Sequence, residues 1–298
     1  MNTRTLINTL LALSFVAFFV SCTPSKPTGN VSLHSQQSNI INGVDSTSDF
    51  QKQNGVVGIY IMIEDAKGNQ GGAICTGSLI RKNVVLTAAH CLTSTPDMQI
   101  VGGIVFFTTG IEEAMKQMDK GDHSNLRKFA KITHHELYTD AEVVGSTHDV
   151  GLIRLNEDAP AGFEMATILP AALKDSLIAG ASLTLSGYGV SSYIKSSNSE
   201  EFVGGGDGVL RQVAGIKVTE IDSTGEEIVL DQTSGGACHG DSGGPAYLTV
   251  AATQTAAAKT YLVGVTSRGE EPCNKDSVYS STLGYKAWID ANLVKILQ

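Results

Sequence analysis

Charge is scarce in this chain of 298 residues: 17% of its side chains are charged, with 21 Lys and Arg against 30 Asp and Glu. With 42% hydrophobic residues, that composition excludes general disorder and allows an ordered core. Residues 1–39 hold two cations, Arg4 and Lys26, and no acid, so the rest of the chain bears −11 against a formal total of −9. An acidic body of this kind excludes nucleic acid as partner, because phosphate binding needs clustered Lys and Arg. No CxxC pair occurs among the five cysteines, which argues against structural zinc. The acids of residues 111–122 do not have the spacing of a calcium loop, and His134-His135 reads as part of a solvated loop. No metal and no cofactor is expected. Internal repeats, low-complexity tracts and an alternating strand–helix pattern are also missing. Helical spacing is confined to residues 111–118 and 287–297.

Long apolar runs are missing too, apart from residues 6–20. Asn8, Thr9 and Ser14 interrupt that run, and it is too short for a confident membrane span. Behind Arg4 it reads as an export signal covering residues 1–21. Residues 22–39 are rich in Ser, Thr, Pro, Asn and Gln, as in a tether or propeptide. The folded domain is expected over 40–298. Phe19-Val20-Ser21-Cys22 resembles the lipobox of bacterial lipoproteins, which implies a cut before Cys22 and acylation of its sulfur. Lipid would then hold the chain on a membrane without a spanning helix. A simple secretory cut nearby is the alternative.

From Ile40 onward, short apolar runs alternate with turn residues. They fall at 56–63, 73–80, 84–88, 100–107, 150–155, 182–186, 209–218, 227–230, 245–250, 260–266 and 278–281. Runs of this length, rich in Val, Ile, Thr and Tyr, predict an all-β barrel or sandwich. Residues 198–208 are glycine-rich and predict a mobile loop, and 251–259 a hairpin excursion. Cys75, Cys91, Cys238 and Cys273 form an even set in an exported chain, which predicts two disulfides with three pairings open.

Chemistry gathers at three places. Gly240-Asp241-Ser242-Gly243-Gly244-Pro245 sets a serine between glycines, which let the backbone turn tightly and approach a substrate. A serine hydroxyl attacks only when a base takes its proton and N–H groups receive the developing oxyanion. Leu86-Thr87-Ala88-Ala89-His90-Cys91 offers the base at the end of an apolar run. Asp149, before Val150-Gly151-Leu152-Ile153-Arg154-Leu155, offers the acid that would fix the imidazole tautomer.

Together these segments resemble the trypsin/chymotrypsin family, in its order of His, Asp and Ser. Ser267-Arg268-Gly269, Ile40-Ile41-Asn42-Gly43 and Gly187-Tyr188-Gly189 extend the resemblance over residues 40–298. It implies two six-stranded antiparallel β-barrels with a C-terminal helix and a cleft between the barrels. It implies a serine endopeptidase, expected to be monomeric, acting on protein or peptide substrates. His90 would be the base, Asp149 its orienting acid and Ser242 the nucleophile. The N–H groups of Gly240 and Ser242 would form the oxyanion hole, and Ser267 would hydrogen-bond Asp149. The implied disulfides are Cys75–Cys91 and Cys238–Cys273. All three triad positions are filled, which argues against a non-catalytic scaffold. The order His, Asp, Ser argues against an α/β esterase.

The resemblance also implies activation. A cut before Ile40 would free an amine to pair with Asp241. Asn39 departs from the basic residue usual there, so trypsin-like self-activation is not implied. The substrate pocket is expected to include Gly236 at the floor, with Ala237, Ser267, Gly269 and Ser277 around it; His239 would line the cleft. No acid stands at the floor, which favours an uncharged, apolar residue before the cut bond. Arg268 replaces the usual Trp. A one-residue slip in the shortened segment 274–279 would bring in Asp276 instead of Ser277 and favour basic side chains.

Overall fold

The computed structural model describes residues 40–139, 147–195, 202–254 and 256–298. The expected leader, the segment 22–39 and Cys22 lie outside the described residues. The chain enters through a two-residue strand, β1 (Val44–Asp45), and a short helix, α1 (Ser48–Asn54). Periodicity alone misses α1, because it is only two turns long. Its ends are nonetheless marked: Thr47 Oγ1 accepts the Phe50 N–H at 3.1 Å, and Gly55 closes the helix at φ 64°.

Six strands follow: β2 (Val56–Asp65), β3 (Gln70–Arg81), β4 (Val84–Thr87), β5 (Met98–Phe106), β6 (Leu126–His134) and β7 (Gly151–Leu155). They close into an antiparallel barrel in the order β2-β3-β4-β7-β6-β5. Every residue of β4 is buried, as its run of Val-Val-Leu-Thr demands. No apolar run marks β6, since Arg127, Lys128 and Lys131 interrupt it. Pairing with β5 on one side and β7 on the other makes it a strand. Between β5 and β6 lies the expected helix, α2 (Ile111–Asp119).

The second half contributes β8 (Ser182–Gly187), β9 (Ser192–Lys195), β10 (Phe202–Gly205), β11 (Arg211–Ile221), β12 (Glu227–Asp231), β13 (Pro245–Val250), β14 (Lys259–Gly269) and β15 (Asp276–Ser281). β8 pairs with both β11 and β13, and β12, β15 and β14 join those two in turn. This ring is the second six-stranded barrel, with β1 added to β11. Leu183, Leu185, Ile216, Ile228, Leu230 and Val263 fill it. β9 and β10 form a separate antiparallel ribbon, so the expected loop at 198–208 contains a strand. Backbone pairing, which needs no side chain, overrides the glycine-rich composition there. The hairpin excursion falls where expected, with Val250 opposite Lys259 across its mouth.

The C-terminal helix α3 (Lys286–Leu297) buries Ile289, Leu293 and Ile296 against the first barrel. No helix among the described residues is long and apolar enough to cross a membrane. Three hydrogen bonds tie the barrels at Thr76 of β3. Its N–H donates to the Ser242 carbonyl at 2.8 Å, its Oγ1 donates to the Gly240 carbonyl at 3.0 Å, and the same Oγ1 accepts the Tyr188 N–H at 3.0 Å.

Candidate active site

β4 delivers His90. After Thr87 the chain turns through Ala88-Ala89 into a single 3-10 turn, His90–Leu92. A disulfide from Cys91 to Cys75 on β3 fixes that turn. A closed loop of about this size contributes about 3 kcal/mol by the chain-entropy model. The imidazole keeps 29% of its surface open to solvent, whereas Asp149 keeps only 3%.

Asp149 stands two residues before the start of β7. His90 Nδ1 lies 2.8 Å from its Oδ2, and the His90 backbone N–H donates to its Oδ1 at 2.9 Å. Ser267 Oγ donates to Oδ2 at 2.7 Å, and Ser280 Oγ to the Asp149 carbonyl at 2.9 Å. Burial alone would raise this carboxyl. The charge of His90 and the hydrogen bonds from His90 and Ser267 outweigh it and hold Asp149 below the ordinary carboxylate range. Asp149 therefore stays ionised beside the imidazole and favours its Nδ1–H tautomer.

Ser242 lies in a tight turn. The Asp241 N–H donates to Cys238 O, the Gly244 N–H to Asp241 O and the Gly243 N–H to Thr266 O. Gly240 and Gly243 adopt φ of 90° and 80°, where a side chain is strained. A Cβ on Gly243 would also lie 2.0 Å from Thr87 Oγ1. Among the described residues, the N–H groups of Gly240 and Ser242 donate to nothing. Two unspent donors beside a serine suit an oxyanion. The carbonyl of Ser242 also lies 3.8 Å from Cys91 Sγ, which brings the turn against the His90 segment.

Asp241 is fully buried. It accepts the Gly189 N–H at 2.8 Å and the Cys238 N–H at 2.9 Å. Burial pushes its carboxyl up to about 7, against the pull of those two N–H groups and of Arg211. A Cβ at Gly187 would lie 2.1 Å from Asp241 Oδ1, and one at Gly189 2.6 Å from its Cγ. The glycines of Gly187-Tyr188-Gly189 thus make room for this acid, a role the sequence did not disclose.

A cavity of about 220 Å³ opens beside Ser242, and its lining includes Ala237, His239, Ser267, Gly269 and Ser277. Ser277 is buried and its hydroxyl finds no partner among the described residues. Asp276 is exposed, because the pairing of Ser277 with Leu230 and Gly269 fixes the register. Gly236 is not part of the lining. The space a side chain would take there belongs to Gln232, whose Oε1 would lie 2.1 Å from a Cβ at that position. Gln232 is itself buried and clasps the backbone of Ala237 through both amide atoms. Nothing in the sequence pointed to it. A disulfide, Cys238–Cys273, closes the wall.

The histidine pair also differs from expectation. His135 is not solvated; it is buried, with His148 stacked on it at 4.7 Å between ring centroids and Trp288 at 5.3 Å. Its imidazole is lowered by that burial.

Two closed barrels, with a His–Asp pair and a glycine-flanked serine where they meet, define a serine endopeptidase. A family model described as Trypsin matches residues 42–289, and the chain belongs to that family. Serine protease SP24D of Anopheles gambiae is 28% identical over 241 residues, covering 75% of this chain and 74% of that protein. Kallikrein-8 of Homo sapiens is 28% identical over 225 residues, covering 72% of this chain and 75% of that protein. The solved structure of HL collagenase superposes with a TM-score of 0.60 at 20% identity, covering 85% of this chain and 98% of that one. The substrates are accordingly proteins or peptides. These relatives are insect and mammalian, so the bacterial setting implied by the lipobox-like run draws no support from them.

Proposed function

We propose that the chain hydrolyses peptide bonds through Ser242, His90 and Asp149 by way of an acyl-enzyme. The observation that carries this reading is the carboxylate of Asp149, which accepts both His90 Nδ1 and Ser267 Oγ. His90 takes the Ser242 proton as the oxygen attacks, and returns it to the leaving amine. The N–H groups of Gly240 and Ser242 receive the oxyanion; losing one such donor typically costs about 2.7–4 kcal/mol of barrier. Labelling by a fluorophosphonate, lost in Ser242→Ala with the fold intact, tests the assignment. Retained labelling in that variant would refute it.

The pocket favours an uncharged residue before the cut bond. Ala237 and Ser277 are uncharged and Gln232 takes the space beside Gly236, while the two charges on the lining have partners, Arg268 with Glu227 at 2.7 Å and Glu271 with His239 at 3.4 Å.

Cleavage before Ile40 is the proposed activation step. Ile40 is buried, and Ile41 pairs with Gly236 close in sequence to Asp241. In the intact chain Ile40 has φ 42°, an unfavourable value for a β-branched residue. Cutting the Asn39–Ile40 bond abolishes that torsion and supplies an amine for the buried Asp241. Residues 1–21 are proposed as the export signal and 22–39 as the pro-segment, with Cys22 as a lipid site that the cut would leave behind. Intact mass of the active enzyme checks the start. Full activity from a chain beginning elsewhere would overturn this step.

A further inference from the structure

Asp149 follows a strained residue. His148 has φ 53°, which an L side chain rarely adopts. Strain of this kind persists only where the surroundings over-determine it. Here they include an ion pair from the second barrel. Arg268 Nη1 and Nη2 donate to Glu227 Oε1 and Oε2 at 2.8 and 2.7 Å, a two-pronged contact. Glu227, almost wholly buried, also accepts the Thr147 N–H at 3.0 Å on Oε1. Arg268 Nη1 reaches Thr147 Oγ1 at 3.2 Å.

Both partners continue directly into the groups that hold Asp149. Arg268 follows Ser267, which donates to the Asp149 carboxylate. Glu227 pairs across the sheet with Ser280, which donates to the Asp149 carbonyl. Thr147, His148 and Asp149 are therefore held at both ends by one continuous set of second-barrel groups. The Trp that the family usually carries at the position of Arg268 could not make the two-pronged contact.

We infer that Glu227 and Arg268 are positioning residues that lock Thr147 and so aim the Asp149 carboxylate at His90. This inference rests on the triad assignment above. The two fail separately: hydrolysis retained by Ser242→Ala would sink the triad before any change is made to the pair.

The test compares full chains carrying Arg268→Met, Arg268→Lys, or Glu227→Leu with Arg268→Met. The double change removes both charges, so neither is left buried alone, and such replacements are often neutral for folding. Two readouts report on aim rather than on stability. One is kcat against KM on a peptide substrate. The other is the low-field NMR resonance of the His90 Nδ1 proton, recorded with Ser242→Ala in each variant. The double variant is expected to fold, to lose about tenfold in kcat with KM nearly unchanged, and to show a shifted or broadened resonance. Arg268→Lys, which keeps a donor and the charge, should recover part of both. An unchanged kcat and resonance in the folded double variant would overturn the inference. So would a loss confined to KM, which would make Arg268, on the wall of the Ser242 cavity, a substrate contact instead.

Discussion

Ser267 Oγ, on β14 of the second barrel, donates at 2.7 Å to Oδ2 of Asp149, which leads into β7 of the first. The acid beside His90 is thus shared between the barrels. Removing the hydroxyl should cost little, because Asp149 keeps its two contacts to His90. Ser267→Ala is expected to lower kcat/KM by about three- to tenfold, an ordinary hydrogen-bond contribution of about 0.5–1.5 kcal/mol. Asp149→Asn removes the charge and the tautomer preference together, and should lower kcat by about 10⁴-fold. Steady-state kinetics at about neutral pH checks both, and equal losses in the two variants would contradict the geometry.

Gly243 cannot carry a side chain without breaking the nucleophile turn. At φ 80° with Thr87 Oγ1 only 2.0 Å from the added carbon, Gly243→Ala must shift either the turn or β4. A loss of at least about 2 kcal/mol of stability is expected, together with most activity. Denaturant melts and active-site titration measure the two effects. A variant of native stability and full activity would show that the turn is laxer than described.

Asp241 makes the intact chain sensitive to pH. Its carboxyl ionises near 3.8 when unfolded and near 7 when folded. Between those values the folded chain keeps a proton that the unfolded chain has lost, so stability falls as pH rises. The contribution is fully present below about pH 4 and gone above about pH 7, a total of a few kcal/mol. In uncut chain carrying Ser242→Ala, Asp241→Asn should therefore stabilise at about pH 8 and change little at about pH 4. After the cut the same substitution should impair activity, since the new amine would lose its partner. Melting curves at the two pH values decide the first claim; equal effects at both would refute it.

Ser277 limits the pocket from its wall. Ser277→Gly removes a buried hydroxyl that lacks a partner among the described residues and enlarges the cavity. Larger apolar residues should then be accepted before the cut bond, with a preference shift of about three- to thirtyfold. Profiling with a peptide library measures it. Ser277→Asp should instead admit basic side chains, whereas a change at the exposed Asp276 should leave the profile as it is.

Much of the site was legible in sequence because its chemistry depends on residue types that local rules expose. A serine between glycines, a histidine beside a cysteine and an aspartate before an apolar run each had a physical reason to stand where it does. Eleven of the twelve barrel strands carried the short apolar runs of buried sheet. Leu126–His134 did not, since its charged positions hide the pattern and only its neighbours define it. His134-His135 misled for the opposite reason: two polar residues suggest water, but Trp288 and His148 enclose His135.

By itself, the sequence determined the family and the all-β class, and it named the residues proposed as base, acid and nucleophile. Those conclusions rest on short segments whose composition their chemistry restricts. Only the tertiary structure decided that Gln232 fills the space beside Gly236, that Gly187 and Gly189 make room for Asp241, and that Glu227 and Arg268 hold Thr147. Glu227 lies 80 residues from Thr147 and 41 from Arg268. No periodicity spans such distances, and burial turned those three polar residues into partners.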